Sequence, residues 1–197
     1  MLGAYKNNAT QIWLGKNVGT IPAYAFYQFS NVKNILFPEG ITSIGSNACF
    51  GCHNLKSLVI PSTVTVINTA AFDSCNSLKQ LDIPDTVTTI NGSAFANCNG
   101  LEKVFIPKTL VNVGTNNTRW LSGAKLTTAG YYGSGKAIEF GWDEAIPNYA
   151  FTYNSDLVEV ILPPTIKSIG NYAFTCCYAL TNINLPEGLT TIGTSAF

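Results

Sequence analysis

A fixed pattern of apolar and polar positions runs along most of the chain. Its clearest marker is a proline that recurs every 23 residues, first at Pro38, Pro61, Pro84 and Pro107 and later at Pro163 and Pro186. The other fixed positions of one unit are Leu78, Leu81, Ile83, Val87, Ile90, Ala94, Phe95 and Cys98. A period of about 20 to 30 residues is typical of a solenoid, because one unit cannot bury its apolar face alone and must stack on its neighbours.

Each unit predicts two short strands and a returning turn. The segment Leu-x-x-Ile-x-Ile (the first wall) ends in alternation, the pattern of a strand with every second side chain inward. Proline ends this strand because it has no N–H to donate. Val-x-x-Ile (the second wall) is also extended, and Gly-x-x-Ala-Phe-x-x-Cys (the third wall) returns through a tight or short helical turn. The sequence therefore predicts a leucine-rich-repeat solenoid, mostly β, with short helical or 3-10 turns.

The aromatic position of the unit gives about eight turns in a single domain. Its occupants are Phe26, Cys49, Phe72, Phe95, Trp120, Phe151, Phe174 and Phe197. In the second turn the phenylalanine follows one residue later, at Phe50, which predicts a small local slip of the chain.

One stretch interrupts the repeats. Regular units cover about 11–113 and 138–197, and the segment of about 114–137 is an insertion or degenerate repeat with a glycine-rich part. We expect residues 127–136 to leave the solenoid as a loop or protruding hairpin. Insertions in repeat proteins often lie on the binding side.

Composition argues against several classes of function. The chain has 11 basic and 11 acidic residues and no cluster of lysine or arginine, so it lacks the footprint of a nucleic-acid-binding protein. No apolar run approaches the roughly 18 residues of a membrane-spanning helix. The first residues also lack the charged and apolar regions of a secretory signal. We expect no nucleic-acid partner and no membrane span.

The repeat unit resembles the BspA-type, or Treponema-type, leucine-rich repeat. The resemblance is clearest over 55–72, 78–95 and 157–177, where the leucine, proline and Ala-Phe positions fall at the family's offsets. It implies a cell-surface or secreted protein that adheres to host matrix proteins or other cells. It brings no catalytic residue and no cofactor. The departures from the family pattern are Gly15, Cys49 and the segment 115–140.

Outward positions of the first wall form the first candidate contact surface. The residue between the two inward positions is apolar in four of six turns, although a solvated strand is expected to be polar there. This apolar ladder consists of Leu36, Val59, Phe105 and Ile161. Three cations border it in adjacent turns, at Lys33, Lys56 and Lys79. The alternative is that these are merely good strand residues beside solubilising lysines.

Aromatic residues around the interruption form the second candidate surface. They are Trp120, Tyr131, Tyr132 and Trp142. Such side chains are common anchors for a protein or for the face of a sugar. The alternative for the tryptophans is that they cover the core where the regular stack is broken. We expect Tyr131 and Tyr132 to be exposed and keep Trp142 as a contact candidate.

The cysteines predict a buried column and no metal site. Four of them occupy one position of the unit, at Cys52, Cys75, Cys98 and Cys177. Parallel side chains suit a disulfide poorly, so free thiols that pack as small apolar groups are expected, with Cys176 the most exposed. Cys49-x-x-Cys52 has no second pair at zinc spacing, so no metal site is predicted.

No residue set indicates catalysis. His53 is the single histidine and has no neighbour in the sequence that would hold it as a general base. Glu139, Asp143 and Glu144 are interpreted as solvated carboxylates near the interruption.

These observations favour a non-catalytic protein-binding or adhesion module, without cofactor or metal. The resemblance implies a location at the cell surface or outside the cell and a host or matrix protein as partner. One alternative is a structural element that stacks end to end on neighbouring chains, since the last unit stops at Phe197 before its cysteine. Another is a carbohydrate-binding accessory module, with a glycan as partner.

Overall fold

A computed structural model describes residues 6–113 and 119–197, and over these ranges the chain is a stack of short parallel strands without any helix. In chain order the strands are β1 (Gln11–Trp13), β2 (Thr20–Ile21), β3 (Asn34–Leu36), β4 (Ser43–Ile44), β5 (Val66–Ile67), β6 (Gln80–Asp82), β7 (Thr89–Ile90), β8 (Lys103–Ile106), β9 (Asn112–Val113), β10 (Thr128–Tyr131), β11 (Ile138–Phe140), β12 (Ala145–Ile146), β13 (Glu159–Ile161), β14 (Ser168–Ile169), β15 (Asn182–Asn184) and β16 (Thr191–Ile192). The predicted solenoid of about 8 turns is confirmed.

Two of the walls are parallel sheets. The first wall contains the pair β1-β3 and the sheet β6-β8-β11-β10-β13-β15. The second wall contains the sheets β2-β4-β5-β7-β9 and β12-β14-β16. In the regular turns each residue pairs with its equivalent one repeat away, as Ile44 does with Ile67 and Ile67 with Ile90. The repeat length therefore sets the register.

The third wall consists of tight turns, the first of the two predicted alternatives, and has no helical turn among the described residues. Successive backbone N–H groups alternate between two kinds of partner. Asp73 N donates to Ala70 O within its own turn at 3.2 Å, and Phe72 N donates to Ala94 O of the next turn at 2.8 Å. A helical turn would keep both bonds inside one unit, whereas this wall joins neighbouring units. The chain achieves this with positive φ at recurring non-glycine positions, which include Tyr24, Gln28, Asn47, Ala70, Ser74, Ser93, Asn97, Tyr149, Tyr153, Tyr172, Cys176 and Ser195.

Aromatic rings and thiols stack inside the third wall. The rings of Phe72 and Phe95 lie 5.2 Å apart and almost parallel, and Phe151 and Phe174 repeat that spacing. The predicted cysteine column is buried at Cys52, Cys75 and Cys98. Its thiols donate to carbonyls of the preceding turn: Cys52 to Phe26 at 3.3 Å, Cys98 to Phe72 at 3.2 Å and Cys177 to Phe151 at 3.1 Å. The column therefore adds bonds between turns.

The prediction that Cys49 takes the phenylalanine position is confirmed, but the small slip expected there is absent. Cys49 N donates to Ala71 O at 2.7 Å, the same inter-turn bond that Phe72 N makes to Ala94 O one turn later. Cys49 simply occupies the phenylalanine position. Phe50 lies outside the core and stacks on Tyr27 at 5.2 Å.

The expected protruding hairpin is also wrong, because Thr128–Tyr131 is a strand of the first wall. Glu139 of β11 lies between Phe105 of β8 and Gly130 of β10, and Gly130 in turn pairs with Ile161 of β13. The later strand β11 is thus inserted between β8 and the earlier strand β10. Gly130 permits this packing, since a Cβ there would lie 2.5 Å from Ser134 Oγ.

The inserted strand spreads the second wall, and two tryptophans fill the space. The strands β9 and β12 belong to different sheets. Trp142 Nε1 donates to Leu110 O at 2.9 Å, and Trp120 Nε1 donates to Ala150 O at 2.9 Å. Their indole N–H groups therefore join parts of the chain on either side of the break. Trp142 is only 3% exposed, so its assignment as a contact residue is wrong, and covering the core is its role.

Trp120 also occupies a different repeat position from the one predicted. Phe95 N donates to Trp120 O at 2.7 Å, where Phe72 N donates to Ala94 O. Trp120 is therefore at the alanine position, and the buried Leu121 takes the aromatic position.

The left-handed positions of the third wall can be tested by glycine substitution. Ala70 has a φ of 53°. Left-handed backbone costs a non-glycine residue about 1–2 kcal/mol, and glycine's extra chain entropy offsets part of that, so Ala70→Gly should raise the free energy of unfolding by up to about 1 kcal/mol. Ala96→Gly, at ordinary φ, should lower it by about 0.5–1 kcal/mol. Urea denaturation measures both, and an equal loss in the two variants would contradict the left-handed turn.

The role of Trp142 can be tested by removing its N–H. Trp142→Phe leaves the Leu110 carbonyl without its donor and removes buried volume, so we expect a loss of about 1–3 kcal/mol in the free energy of unfolding. Trp13→Phe is the matched control on an exposed tryptophan and should change it by less than about 0.5 kcal/mol. Similar losses in the two variants would show that the Trp142 hydrogen bond is not used.

Candidate binding surface

The four apolar ladder residues face outward but differ in exposure. Leu36 is 55% and Val59 72% exposed. Phe105 and Ile161 are half-buried. The ammonium group of Lys103 lies over the Phe105 ring, 5.4 Å from its centre, and covers part of it. The open apolar surface therefore lies at the amino-terminal part of the ladder.

Trp13 extends this surface and was missed in the sequence. It pairs with Leu36 across β1 and β3 and is 76% exposed. The repeat pattern could have identified it. Gly15 occupies the proline position, so Trp13 precedes it by the same two residues by which Leu36 precedes Pro38. We call Trp13, Leu36 and Val59 the amino-terminal ladder.

The lysines beside the ladder are not equivalent. Lys79 forms an exposed ion pair with Glu102, with 2.5 Å between Nζ and Oε1. Lys33 and Lys56 are exposed and have no ion-pair partner among the described residues. The two unpaired cations thus lie in the same turns as Leu36 and Val59. Asp82 follows Val59 in the ladder position and ends the apolar strip.

Glu139 is buried, so its interpretation as a solvated carboxylate is wrong. Oε1 lies 2.9 Å from Lys103 Nζ and accepts from Gly135 N at 3.1 Å, and Oε2 accepts from Gly133 N at 3.0 Å. The Lys103 ammonium first, and then the Gly133 N–H, lower the pKa of Glu139 below its ordinary value. The glycine-rich connection is therefore tied to the sheet by one carboxylate. Asp143 and Glu144 are exposed, as expected.

Tyr131 and Tyr132 are both partly exposed, as expected, at 41% and 49%. They lie on and just after β10, and β11, β8 and β6 separate that strand from the turns of the amino-terminal ladder along the first wall. The structure therefore does not bring them together with the amino-terminal ladder. Tyr132 is anchored by its hydroxyl, which donates to Ile106 O at 2.7 Å.

The remaining chemical groups have structural contacts. His53 Nδ1 lies 2.7 Å from Asn76 Oδ1 and 2.9 Å from Ser74 O, two contacts between neighbouring turns. Burial raises the pKa of the Cys49 and Cys75 thiols, and it raises that of Cys177 to about 12. Cys176 and Cys177 are half-buried.

The described part of the chain contains no group of three or more His, Cys, Asp or Glu side chains that could hold a metal ion. It also contains no helix that is long and apolar enough to cross a membrane.

The buried Glu139 carboxylate predicts a pH-dependent stability. Because its pKa lies below the ordinary value of 4.5, its stabilising effect is complete above that value and is lost as pH falls through the lower folded pKa. Glu139→Gln should cost about 1–3 kcal/mol at neutral pH and weaken the loss of stability on acidification below pH 4.5. Glu144→Gln, in an exposed ion pair, is the control and should cost less than about 1 kcal/mol. Urea titrations across this range measure both, and identical pH profiles would contradict the prediction.

Comparison with known proteins agrees with the geometry. No curated protein matches the sequence. A leucine-rich-repeat protein of T. pallidum has 23% identity and a TM-score of 0.60, covering 95% of this chain and 74% of that one. The pneumococcal vaccine antigen PcpA has 18% identity and a TM-score of 0.51, covering 93% of this chain and 58% of that one. A family model described as the BspA type leucine-rich-repeat region matches residues 4–118 and 144–197 in 6 copies. The protein therefore belongs to the BspA-type leucine-rich-repeat family.

Proposed function

We propose that the chain is a non-catalytic binding module that holds a protein partner on the amino-terminal ladder. One observation carries the proposal: Trp13, Leu36 and Val59 are large apolar side chains, more than half exposed, in consecutive turns of one wall. A contiguous exposed apolar strip is costly in water and marks an interaction site. Tryptophan at one end provides the residue type most often found as a binding hot spot.

The charges beside the ladder favour a partner with carboxylates. Lys33 and Lys56 border the apolar strip and have no ion-pair partner in the described ranges. Charge complementarity at an interface mainly speeds association and selects the partner. The proposed partner surface therefore has apolar side chains flanked by aspartate or glutamate.

The family supports a location at the cell surface or outside the cell, where such a partner is a host or matrix protein. This location and the adhesive role are part of the proposal. The repeat itself is a scaffold that accommodates many partners, so the residues on its surface determine the function.

A binding screen with surface variants tests the proposal. The immobilised chain is exposed to a panel of purified matrix and cell-surface proteins, and each interaction is measured by surface plasmon resonance. Trp13→Ala and Val59→Ser should weaken the interaction by roughly ten-fold or more, the effect of losing a hot-spot residue. Lys33→Ala with Lys56→Ala should slow association and reduce its dependence on salt.

A matched control uses an exposed apolar residue on another wall. Val111 is exposed beside β9, and Val111→Ser should leave binding unchanged. Absence of binding to every panel protein, or equal losses for Val111→Ser and Val59→Ser, would contradict the proposal. Light scattering tests the self-assembling alternative: a mass that grows with concentration above 21.1 kDa and is insensitive to the ladder variants favours stacking of chains.

A further inference from the structure

A cleft opens beside the inserted strand, away from the amino-terminal ladder. It consists of two hollows of about 330 Å³ each that share Lys108 and Thr109 in their lining. The connection from β8 to β9 forms one side, and the segment that follows β11 forms the other. The cleft exists because β11 adds a strand to the first wall while β9 and β12 of the second wall are not paired.

Tyr132 forms a fixed aromatic wall of the first hollow. Its hydroxyl is held by the Ile106 carbonyl at 2.7 Å. The ring edge lies against Gly141, where a Cβ would be 3.1 Å from Tyr132 Cε2 and 2.8 Å from Lys108 N. Glycine is therefore needed at position 141 for this approach. Tyr132 is 49% exposed, so part of its side chain remains available to a ligand.

Thr109 provides a hydroxyl that no group of the described residues uses. Its Oγ1 is buried beside the cleft and has no hydrogen-bond partner within the described ranges. The equivalent Thr63, two repeats earlier, accepts from Gly40 N at 3.0 Å and donates to Ile41 O at 2.7 Å. Thr109 itself lines both hollows of the cleft.

The charges of the cleft disfavour an anionic ligand. Asp85 and Lys108 line the first hollow and provide an acceptor and donors of opposite charge. Asp143 and Glu144 line the second hollow, where Glu144 also pairs with Lys167 at 3.4 Å. These carboxylates disfavour a phosphate or carboxylate ligand, and Lys108 adds a hydrogen-bond donor beside them. A neutral ligand that both donates and accepts hydrogen bonds fits these carboxylate and ammonium groups.

We propose that this cleft binds a neutral hexose unit of a glycan. The ring of Tyr132 stacks on the apolar face of the sugar, and Asp85, Lys108 and Thr109 bond its hydroxyl groups. An aromatic wall combined with a few convergent polar groups is the usual composition of a small-molecule site, and the size of each hollow suits one sugar ring. This site is independent of the protein-binding surface on the amino-terminal ladder.

Saturation-transfer NMR on the whole chain tests the site. The probes are the methyl glycosides of glucose, galactose, mannose and N-acetylglucosamine, with lactose and sialyllactose as a neutral and an acidic pair. We expect saturation transfer to at least one neutral glycoside and weaker transfer to sialyllactose than to lactose. No transfer to any neutral probe, or stronger transfer to sialyllactose, would overturn the proposal.

Variants at the cleft locate the binding. Tyr132→Ala should reduce the transfer at least about five-fold, because the stacking face is lost. Tyr131→Ala removes the adjacent exposed tyrosine outside the cleft lining and should keep the transfer within about two-fold of the unchanged chain. Equal losses in the two variants would overturn the assignment.

Two more variants separate binding from folding. Tyr132→Phe loses the bond to Ile106 as Tyr132→Ala does but keeps the ring, so it should retain the transfer. Thr109→Val should reduce the transfer without lowering the melting temperature, since the hydroxyl has no partner among residues 6–113 and 119–197 to lose. Loss of transfer in Tyr132→Phe, or full transfer in Thr109→Val, would contradict the roles given to these residues.

Discussion

Hydrogen bonds between successive turns hold this solenoid together, and all three walls must therefore rise by the same step at every turn. Parallel strands lie about 4.8 Å apart, and the second wall follows that step through Thr65 N to Thr42 O and Thr88 N to Thr65 O. The third wall matches it with alternate N–H groups, and buried thiols add further bonds between turns. Side chains inside then fall into columns of isoleucine, phenylalanine and cysteine, because a constant step brings equivalent residues into contact.

The strand β11 belongs to the first wall only, so the walls no longer rise by the same number of steps, and this accounts for the irregular part of the molecule. It adds a strand to one wall, so the second wall divides between β9 and β12. The indole groups of Trp120 and Trp142 connect the separated parts through hydrogen bonds to Ala150 and Leu110. The part of the division that the tryptophans do not fill is the cleft beside Tyr132. The residues that contain β10 and β11 lie outside the ranges 4–118 and 144–197 that the family model matches.

The 23-residue period predicted the solenoid and the outward ladder because a repeated apolar spacing determines which residues face the core. It did not predict the left-handed backbone of the third wall. Left-handed positions are usually occupied by glycine, whereas here they are occupied by residues such as Tyr24, Ala70 and Ser74. The glycine-rich insertion was predicted to be a loop because glycines usually indicate irregular backbone. Gly130 permits close packing within a sheet, and Gly133 and Gly135 present their N–H groups to Glu139. Composition cannot distinguish these uses of glycine. Trp13, in contrast, could have been found from its offset to Gly15.

The order of strands around the insertion tests this description most directly. Backbone nuclear Overhauser effects in the isotope-labelled chain report which strands are neighbours. The structure requires contacts of 104–106 with 138–140 and of 128–130 with 159–161. Contacts of 104–106 with 128–130 and of 138–140 with 159–161 would show the strands stacked in chain order, and would contradict the insertion of β11 between β8 and β10.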